Sequence, residues 1–305
     1  MFYNFIPPGS IADRKEKELY LDVGNKLEYG VIDHHQLNIQ KSATTLTFEN
    51  PNFIPKNTQT VILHKNADLD CIASSFLAEY YIKHNQFPDF AKSLCEFVDI
   101  IDFGKRPKSF INLNSIFMLR KTEDNFESVK IGHYLIEKLA PFGFDGGSYP
   151  DEFKEDIKKI EEDYRVFEKD LKNSKEIECV LPTRNGEMKK VKGLILFKPK
   201  SLFFKYFARD MGYELLIVKW SNKRTVISLK ADSFYSLKGI GEKLNKAEKA
   251  KRQKLGIVVD EPNRPGYNMP DPWYDGRAHN YTIIDSPRIG TLLDFEEILT
   301  IICMK

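Results

Sequence analysis

Three groups of histidine and aspartate residues in the first third of the chain have the residue types and the spacing of metal ligands. Imidazole and carboxylate groups together suit Mn²⁺, Fe²⁺, Co²⁺ or Mg²⁺ better than a structural zinc ion. The sequence therefore predicts a pair of divalent ions, with Mn²⁺ as the first choice and Mg²⁺ or Co²⁺ as the alternatives. The three groups are Asp22, the run Asp33-His34-His35, and His64 with Asp68 and Asp70.

Short apolar runs end in or just before these groups and predict the strands that position them. Residues 19–23, 30–33 and 61–64 are continuous rather than alternating runs, which is typical of strands buried on both faces of a parallel sheet. The carboxyl ends of such strands form the usual ligand site of an α/β sheet. A helix predicted over 71–84 begins beside Asp70, and its free N–H groups favour a phosphate nearby. Alternatively, Asp70 only caps that helix.

Composition, charge and cysteine spacing exclude several classes of protein. Lys and Arg (46) nearly balance Asp and Glu (44), so the net charge of +2 indicates no particular partner. The N-terminus has no signal-peptide pattern, and no segment approaches the ~18 apolar residues of a membrane span. The four cysteines form no C-x-x-C pair, which argues against a zinc ribbon and predicts buried, reduced thiols. We therefore expect a cytoplasmic protein without a membrane partner.

The rest of the chain changes from a helical to a strand-rich pattern. Helices are expected over 90–103 and, as a charged amphipathic segment, over 151–175. The dipeptide Asn185-Gly186 predicts a hairpin turn. Strands are expected at 177–181, 191–197, 214–219, 225–230 and 281–285, with helices at 237–254 and 293–303.

These patterns predict an α/β protein with two domains. Residues 1–130 are expected to form a mostly parallel sheet flanked by helices, which carries the metal ligands. Residues 131–176 are expected to form a helical linker, and residues 177–305 a smaller α+β domain for substrate binding.

Two of the metal-ligand motifs resemble those of a known enzyme family. The run Ile32-Asp33-His34-His35 and the pattern His64-x-x-x-Asp68-x-Asp70 are similar to the two signature motifs of the DHH phosphoesterase superfamily. This superfamily includes RecJ-type exonucleases, nanoRNases, cyclic-dinucleotide phosphodiesterases and a class of manganese pyrophosphatases. Asp22 resembles its bridging aspartate. The two motifs occur here in the reverse of the family's usual order, so the resemblance implies a permuted arrangement of strands.

The resemblance also implies a last acidic ligand, for which the sequence offers two candidates. Asp99 and Asp102 are spaced i, i+3 and would share one face of a helix. Asp102 is favoured because Asp102-Phe103-Gly104 resembles the family's Asp-x-Gly, and Asp99 stays open.

The second half resembles the C-terminal domain associated with DHH enzymes. The strand that contains Ser228 and Lys230 is similar to the family's Ser-Leu-Arg-Ser strand, with lysine in the arginine position. The segment Gly276-Arg277-Ala278-His279 partly matches its glycine loop. The resemblance implies phosphate or nucleotide binding here, and Arg288 adds a further cation. Trp273, Tyr274 and Tyr281 would stack a base, or else anchor a proline-rich loop.

These expectations combine into a two-metal phosphoesterase that acts on a nucleotide or a short single-stranded oligonucleotide. A bridging hydroxide would attack the phosphorus in line. Asp33 would orient a histidine, and His34 would ligate a metal or contact the scissile phosphate. Two alternatives stay open: a hydrolase of a small phosphoanhydride such as pyrophosphate, and a nucleotide sensor without catalysis. The sequence leaves a homodimer open as well.

Overall fold

The computed structural model of the protein describes residues 1–35, 39–230, 232–257, 271–276 and 281–303. The fold is mixed α/β, with one five-stranded mixed sheet in each of two compact units, Met1–Ile160 and Glu161–Lys305. The unit boundary falls inside one long helix, Lys154–Lys172.

The first unit contains five strands and five helices before that long helix, among the residues described. The strands are β1 (Phe2–Ile6), β2 (Glu18–Leu21), β3 (Leu27–Glu28), β4 (Val31–Ile32) and β5 (Thr60–His64). The helices are α1 (Ala43–Glu49), α2 (Leu69–His84), α3 (Ala91–Asp102), α4 (Leu113–Arg120) and α5 (Asn125–Leu139), and the long helix is α6. Short 3₁₀ helices lie at Pro51–Phe53, Ala140–Phe142 and Asp151–Phe153.

The first sheet has the strand order β1-β5-β2-β4-β3. Strands β1, β5, β2 and β4 pair in parallel, and β3 pairs antiparallel with β4. The carboxyl ends of β5, β2 and β4 therefore meet at one edge of the sheet. The strands predicted around 19–23, 30–33 and 61–64 are confirmed, and their apolar residues are buried, as the continuous runs indicate.

Helix α2 packs against β2 and β5 and begins beside the metal-ligand motif. Its first residues follow Asp68, whose side chain accepts a hydrogen bond from the Cys71 N–H (3.2 Å) and so caps the helix. It ends at Asn85, which adopts the left-handed conformation (φ 53°) typical of a helix C-terminus. The predicted helices over 71–84 and 90–103 are thus confirmed as α2 and α3, with small shifts at their ends.

The second unit also builds its core on one sheet. Its elements are β6 (Lys175–Pro182), β7 (Met188–Phe197), α7 (Phe204–Asp210), β8 (Leu215–Lys219), β9 (Thr225–Leu229), α8 (Ile240–Lys254), β10 (Ile283–Asp285) and α9 (Phe295–Ile302). The order is β10-β9-β8-β7-β6, in which only β7 and β8 pair in parallel. The hairpin predicted at Asn185-Gly186 is confirmed between β6 and β7, with Gly186 at φ 87°.

The cysteines correct one expectation and confirm another. Cys179 in β6 and Cys303 after α9 form a disulfide, so the prediction of four reduced thiols is wrong for this pair. Cys71 and Cys95 are free and buried, as predicted. Over the described part of the chain, no helix combines the length and the apolar character needed to cross a bilayer.

Candidate metal centre

Three neighbouring strands deliver the predicted ligands to the same edge of the first sheet. Asp22 directly follows β2, the run Asp33-His34-His35 follows β4, and His64 ends β5. Because β5, β2 and β4 are adjacent and parallel, residues far apart in the sequence become neighbours. The reversed order of the two motifs therefore does not keep their side chains apart.

Asp22 lies in the centre of the cluster, between three imidazole rings. Its Oδ2 lies 3.2 Å from Nε2 of His64, and its Oδ1 lies 3.4 Å from Nε2 of His34 and 3.5 Å from Nδ1 of His35. The side chain is only 2% exposed. Its backbone adopts φ 56°, a left-handed conformation that aspartate tolerates better than most residues and that turns the chain as it leaves the strand. Asp22 thus contacts every histidine of the predicted set.

Hydrogen bonds at Nδ1 orient two of the histidines, and in His35 this is also the nitrogen that lies 3.5 Å from Asp22 Oδ1. His64 Nδ1 donates to the Lys65 carbonyl (3.0 Å), so Nε2 is the atom directed at Asp22. His35 Nδ1 donates to Asp33 Oδ1 (2.7 Å), and Asp33 is itself held by the N–H groups of Asn25 and His35. These contacts are the ones expected of Asp33 as a residue that orients a histidine.

Asp68 and Asp70 have different surroundings. Asp68 caps α2 and has a largely exposed side chain, 3.7 Å from Nε2 of His64. Asp70 is buried and accepts hydrogen bonds from the N–H groups of Ala43 and Thr44 (both 2.8 Å) and from the Thr44 hydroxyl (2.7 Å). The alternative in which Asp70 caps α2 is therefore wrong: its carboxylate lies at the first turn of α1, and Asp68 holds the Cys71 N–H of α2.

The two acidic candidates on α3 face different partners. Asp102 Oδ2 lies 3.7 Å from Nε2 of His34, and one oxygen of Asp102, Asp70 Oδ2 and that nitrogen could share an ion. Asp99 Oδ1 instead accepts hydrogen bonds from the Ser42 N–H and the Thr45 hydroxyl, both at 2.9 Å. Asp102 is thus brought into the cluster, whereas Asp99 holds the beginning of α1.

Within the part of the chain that the structure describes, three buried atoms of the cluster have no hydrogen-bond partner: Asp22 Oδ1, His34 Nε2 and Asp102 Oδ2. A buried polar atom left unpaired costs about 1–3 kcal/mol, so such atoms call for an explanation. Ligand atoms about 2.1 Å from one ion lie roughly 3.0–3.5 Å from each other at adjacent positions, and up to about 4.2 Å at opposite positions. His34 Nε2 is 3.4 Å from Asp22 Oδ1 and 3.7 Å from Asp102 Oδ2, so the residues present fit a divalent ion.

The pKa shifts within the cluster point to the same conclusion. Burial opposes ionisation of Asp22, but the neighbouring imidazoles of His34 and His64 lower its pKa well below the usual range. Burial also opposes protonation of His34, yet contacts with Asp22 and Asp102 raise its pKa to about 10. Burial, with Asp22 nearby, raises the pKa of Asp102 to about 7. In the metal-free protein, positive charge on protonated imidazoles therefore stabilises the carboxylates. A divalent ion would supply that positive charge in their place.

Cys71 also lies in this cluster, and the sequence analysis did not select it. Its Sγ, a nitrogen of His64 and an oxygen of Asp22 lie within 4.8 Å of one another. The signal was its position directly after Asp70, at the beginning of the helix predicted to border the site.

The predicted substrate-binding residues lie in the second unit. Ser228 in β9 accepts hydrogen bonds from Nη2 of Arg209, a residue the sequence analysis did not select, at its carbonyl (2.9 Å) and hydroxyl (3.3 Å) oxygens. Lys230 Nζ lies 3.8 Å from Glu214 Oε1, and Arg288 is exposed. Arg277 and His279 lie outside the described residues.

Gly276 and the neighbouring aromatic residues have structural constraints. Gly276 adopts φ 67°, and a Cβ there would lie 2.1 Å from the Ile283 carbonyl oxygen, so only glycine fits. Trp273 is fully buried, and its Nε1 donates to Glu248 (3.3 Å). Tyr274 is also buried. The stacking role is therefore wrong for Trp273 and Tyr274, and most of the proline-rich loop that they would anchor lies outside the described residues.

Searches against models of known families and against curated proteins find no match to this chain.

Proposed function

We propose that the protein is a metal-dependent phosphoesterase that hydrolyses phosphodiester bonds of a nucleotide or short oligonucleotide. The observation that supports this proposal most is the position of Asp22 between His64 on one side and His34 and His35 on the other. A carboxylate shared in this way can bridge two divalent ions. Mixed carboxylate and imidazole groups at the ends of parallel strands suit ions that bind phosphate oxygens.

The residues divide into two positions around Asp22. His64 and Asp68 lie on one side, and the second position combines His34 or His35 with the carboxylates of Asp70, which is buried, and Asp102, which is half-buried. A pair of bound divalent ions would neutralise charge on the phosphate and lower the pKa of water.

The chain itself keeps the ligands in place. Asp33 fixes the ring of His35, and the first turn of α1 fixes Asp70 through three hydrogen bonds. Side chains held this way need little reorganisation when an ion or a phosphate binds.

A small phosphoanhydride such as pyrophosphate is the second candidate substrate. The observation that favours it is the burial of Trp273 and Tyr274, which removes two of the three aromatic groups expected to stack a base. Hydrolysis of pyrophosphate requires no stacking.

The proposal is tested by incubating the purified protein with Mn²⁺ or Co²⁺ and a substrate panel. The panel contains short oligonucleotides, linear and cyclic dinucleotides, and pyrophosphate, and released phosphate and nucleotides are measured. We expect hydrolysis by the wild type and none by Asp22→Asn. Asp99→Asn is the matched control, because it removes a nearby acidic group outside the ligand cluster. A metal-loaded wild type that hydrolyses nothing on the panel contradicts the proposal, and hydrolysis of pyrophosphate alone selects the second candidate.

A further inference from the structure

The thiol of Cys71 lies beside one of the two metal positions. Cys71 is the third residue of α2 and is fully buried. Its Sγ faces the end of β2, 3.9 Å from the Leu21 carbonyl oxygen, which directly precedes Asp22 in the chain. The Sγ, a nitrogen of His64 and an oxygen of Asp22 lie within 4.8 Å of one another. A zinc-type ion lies about 2.3 Å from a thiolate and about 2.1 Å from an imidazole nitrogen, so the two ligand atoms are at most about 4.4 Å apart. Small side-chain rotations would therefore let all three groups bind one ion.

Asp22 connects this group to the other histidines through its two carboxylate oxygens. Oδ2 lies 3.2 Å from Nε2 of His64, whereas the buried Oδ1 faces His34 and His35 and has no hydrogen-bond partner among the described residues. The second buried free thiol offers a contrast. Cys95 Sγ lies 3.7 Å from the Thr44 carbonyl oxygen and belongs to none of the ligand groups found among the described residues. Burial alone therefore does not place a cysteine among ligands in this unit.

We propose that Cys71 is a thiolate ligand of the metal position formed by Asp22 and His64, and that it gives this position a preference for Zn²⁺, Co²⁺ or Fe²⁺ over Mn²⁺ and Mg²⁺. The inference rests on the metal centre of the proposed function. Soft thiolate ligands bind the later and more polarisable metals, whereas Mg²⁺ and Mn²⁺ favour oxygen ligands. Mn²⁺ then remains the expected ion only at the position that contains Asp70 and Asp102.

Metal binding at this position exchanges a proton for an ion. A bond forms between Sγ and the metal, the S–H bond breaks, and the proton passes to solvent. In the metal-free protein, burial raises the pKa of Cys71 to about 12, so the thiol carries its proton at neutral pH. No oxidant or reductant takes part.

Cobalt provides the test, because thiolate-bound Co²⁺ has a charge-transfer band in the near ultraviolet that oxygen and nitrogen ligands do not produce. Wild-type protein titrated with Co²⁺ should develop this band in proportion to the cobalt bound, as measured by equilibrium dialysis. Cys71→Ser should bind cobalt without the band. Cys95→Ser, which alters the other buried thiol, should keep it.

Several outcomes overturn the inference. They are cobalt bound to the wild type without the band, a band that persists in Cys71→Ser, and failure of the wild type to bind cobalt at all. If Cys71→Ser does not fold, His64→Gln serves as the test variant. It retains the Cys71 thiol, but it should still lose the band because it removes another ligand of the same metal position. A competition between Zn²⁺ and Mn²⁺ adds a second readout: Cys71→Ser should lower the preference for zinc.

The test separates this inference from the proposed function. If the wild type binds cobalt without the band, the thiolate ligand is contradicted and the phosphoesterase proposal is unaffected. If the band forms but the protein hydrolyses nothing on the substrate panel, the thiolate ligand is supported and the phosphoesterase proposal is contradicted.

Discussion

Nε2 of His34 and Oδ2 of Asp102 lie 3.7 Å apart, and neither atom has a hydrogen-bond partner. The separation is too long for a hydrogen bond and suits two ligands of one ion. One helical turn earlier, Asp99 has hydrogen bonds to Ser42 and Thr45. Two carboxylates on one helix therefore have separable roles, which a matched pair of substitutions can distinguish.

Asp102→Asn is expected to weaken metal binding without loss of folding stability. It removes the charge of a half-buried carboxylate whose Oδ2 has no hydrogen-bond partner among the described residues. Residues that only support metal ligands already contribute about 10–100-fold to metal affinity, so loss of a ligand should cost at least as much. Asp99→Asn should keep metal affinity and lower the free energy of unfolding by about 1 kcal/mol, since the Ser42 N–H and the Thr45 hydroxyl then donate to a neutral amide oxygen instead of a carboxylate. Isothermal titration with Mn²⁺ and urea unfolding of both variants provide the measurement. The reverse pattern would assign the ligand to Asp99.

Gly132→Ala is expected to destabilise the first unit although alanine is the better helix former. Gly132 lies in α5, and a Cβ there would lie 2.3 Å from Cγ2 of Ile72 in α2. Overpacking of this kind costs about 1–3 kcal/mol, more than the ~1 kcal/mol gained in helix propensity. Thermal unfolding should show the loss, and in an Ile72→Ala background the same Gly132→Ala change should cost less. Glu137→Ala, on the exposed face of α5, serves as control; an unchanged melting temperature in Gly132→Ala would contradict the close packing of α2 and α5.

The stability of the protein is expected to fall between about pH 6.5 and pH 4 because of His133. Burial lowers the pKa of His133 to about 4, and its Nε2 donates to the Ser75 hydroxyl oxygen (2.9 Å). Glu79 offers little compensation, since its Oε2 lies 3.9 Å from Nδ1 of the ring.

The direction follows from proton binding. Between these two pKa values the unfolded chain binds a proton that the folded chain does not, so the free energy of unfolding decreases as the pH falls, by about 3 kcal/mol in total. Urea unfolding of wild type and His133→Gln at several pH values isolates this contribution. Parallel curves for the two proteins would show that His133 does not titrate in this way.

Reduction of the disulfide between Cys179 and Cys303 is expected to destabilise the second unit. The bond links β6 to the end of α9 across 124 residues of sequence, and cross-links over loops of this length contribute about 2–4 kcal/mol. Thermal unfolding with and without dithiothreitol should show a lower melting temperature in the reduced protein. Cys303→Ser should unfold at the reduced wild-type temperature and no longer respond to dithiothreitol. A response that survives in Cys303→Ser would trace the effect to another group.

The ligands at the strand ends could be predicted from the sequence because local patterns carry the information. Apolar runs that end in Asp22, Asp33 and His64 indicate buried strands, and parallel strands bring their ends together whatever their order in the chain.

The remaining details depend on packing between distant segments, which no local pattern encodes. The choice between Asp99 and Asp102 is made by the position of α1, because both residues lie on one face of α3. The pairing of Cys179 with Cys303 is likewise a property of the folded sheet, since their spacing matches no short motif. Trp273 was open to two interpretations because an aromatic residue in a proline-rich segment is equally compatible with stacking and with anchoring, and only its burial decides.

The hydrogen bonds from the first turn of α1 to Asp70 have an evolutionary consequence. Helix α1 has seven residues, too few to be stable alone, so the Asp70 carboxylate helps to define where the helix begins. A descendant of this protein that had lost its metals would still be under selection to keep Asp70 for folding. Asp102 would not be under that selection, because its Oδ2 has no hydrogen-bond partner among the described residues. Among homologues, retention of Asp102 rather than Asp70 would therefore mark the lineages in which the metal centre is still in use.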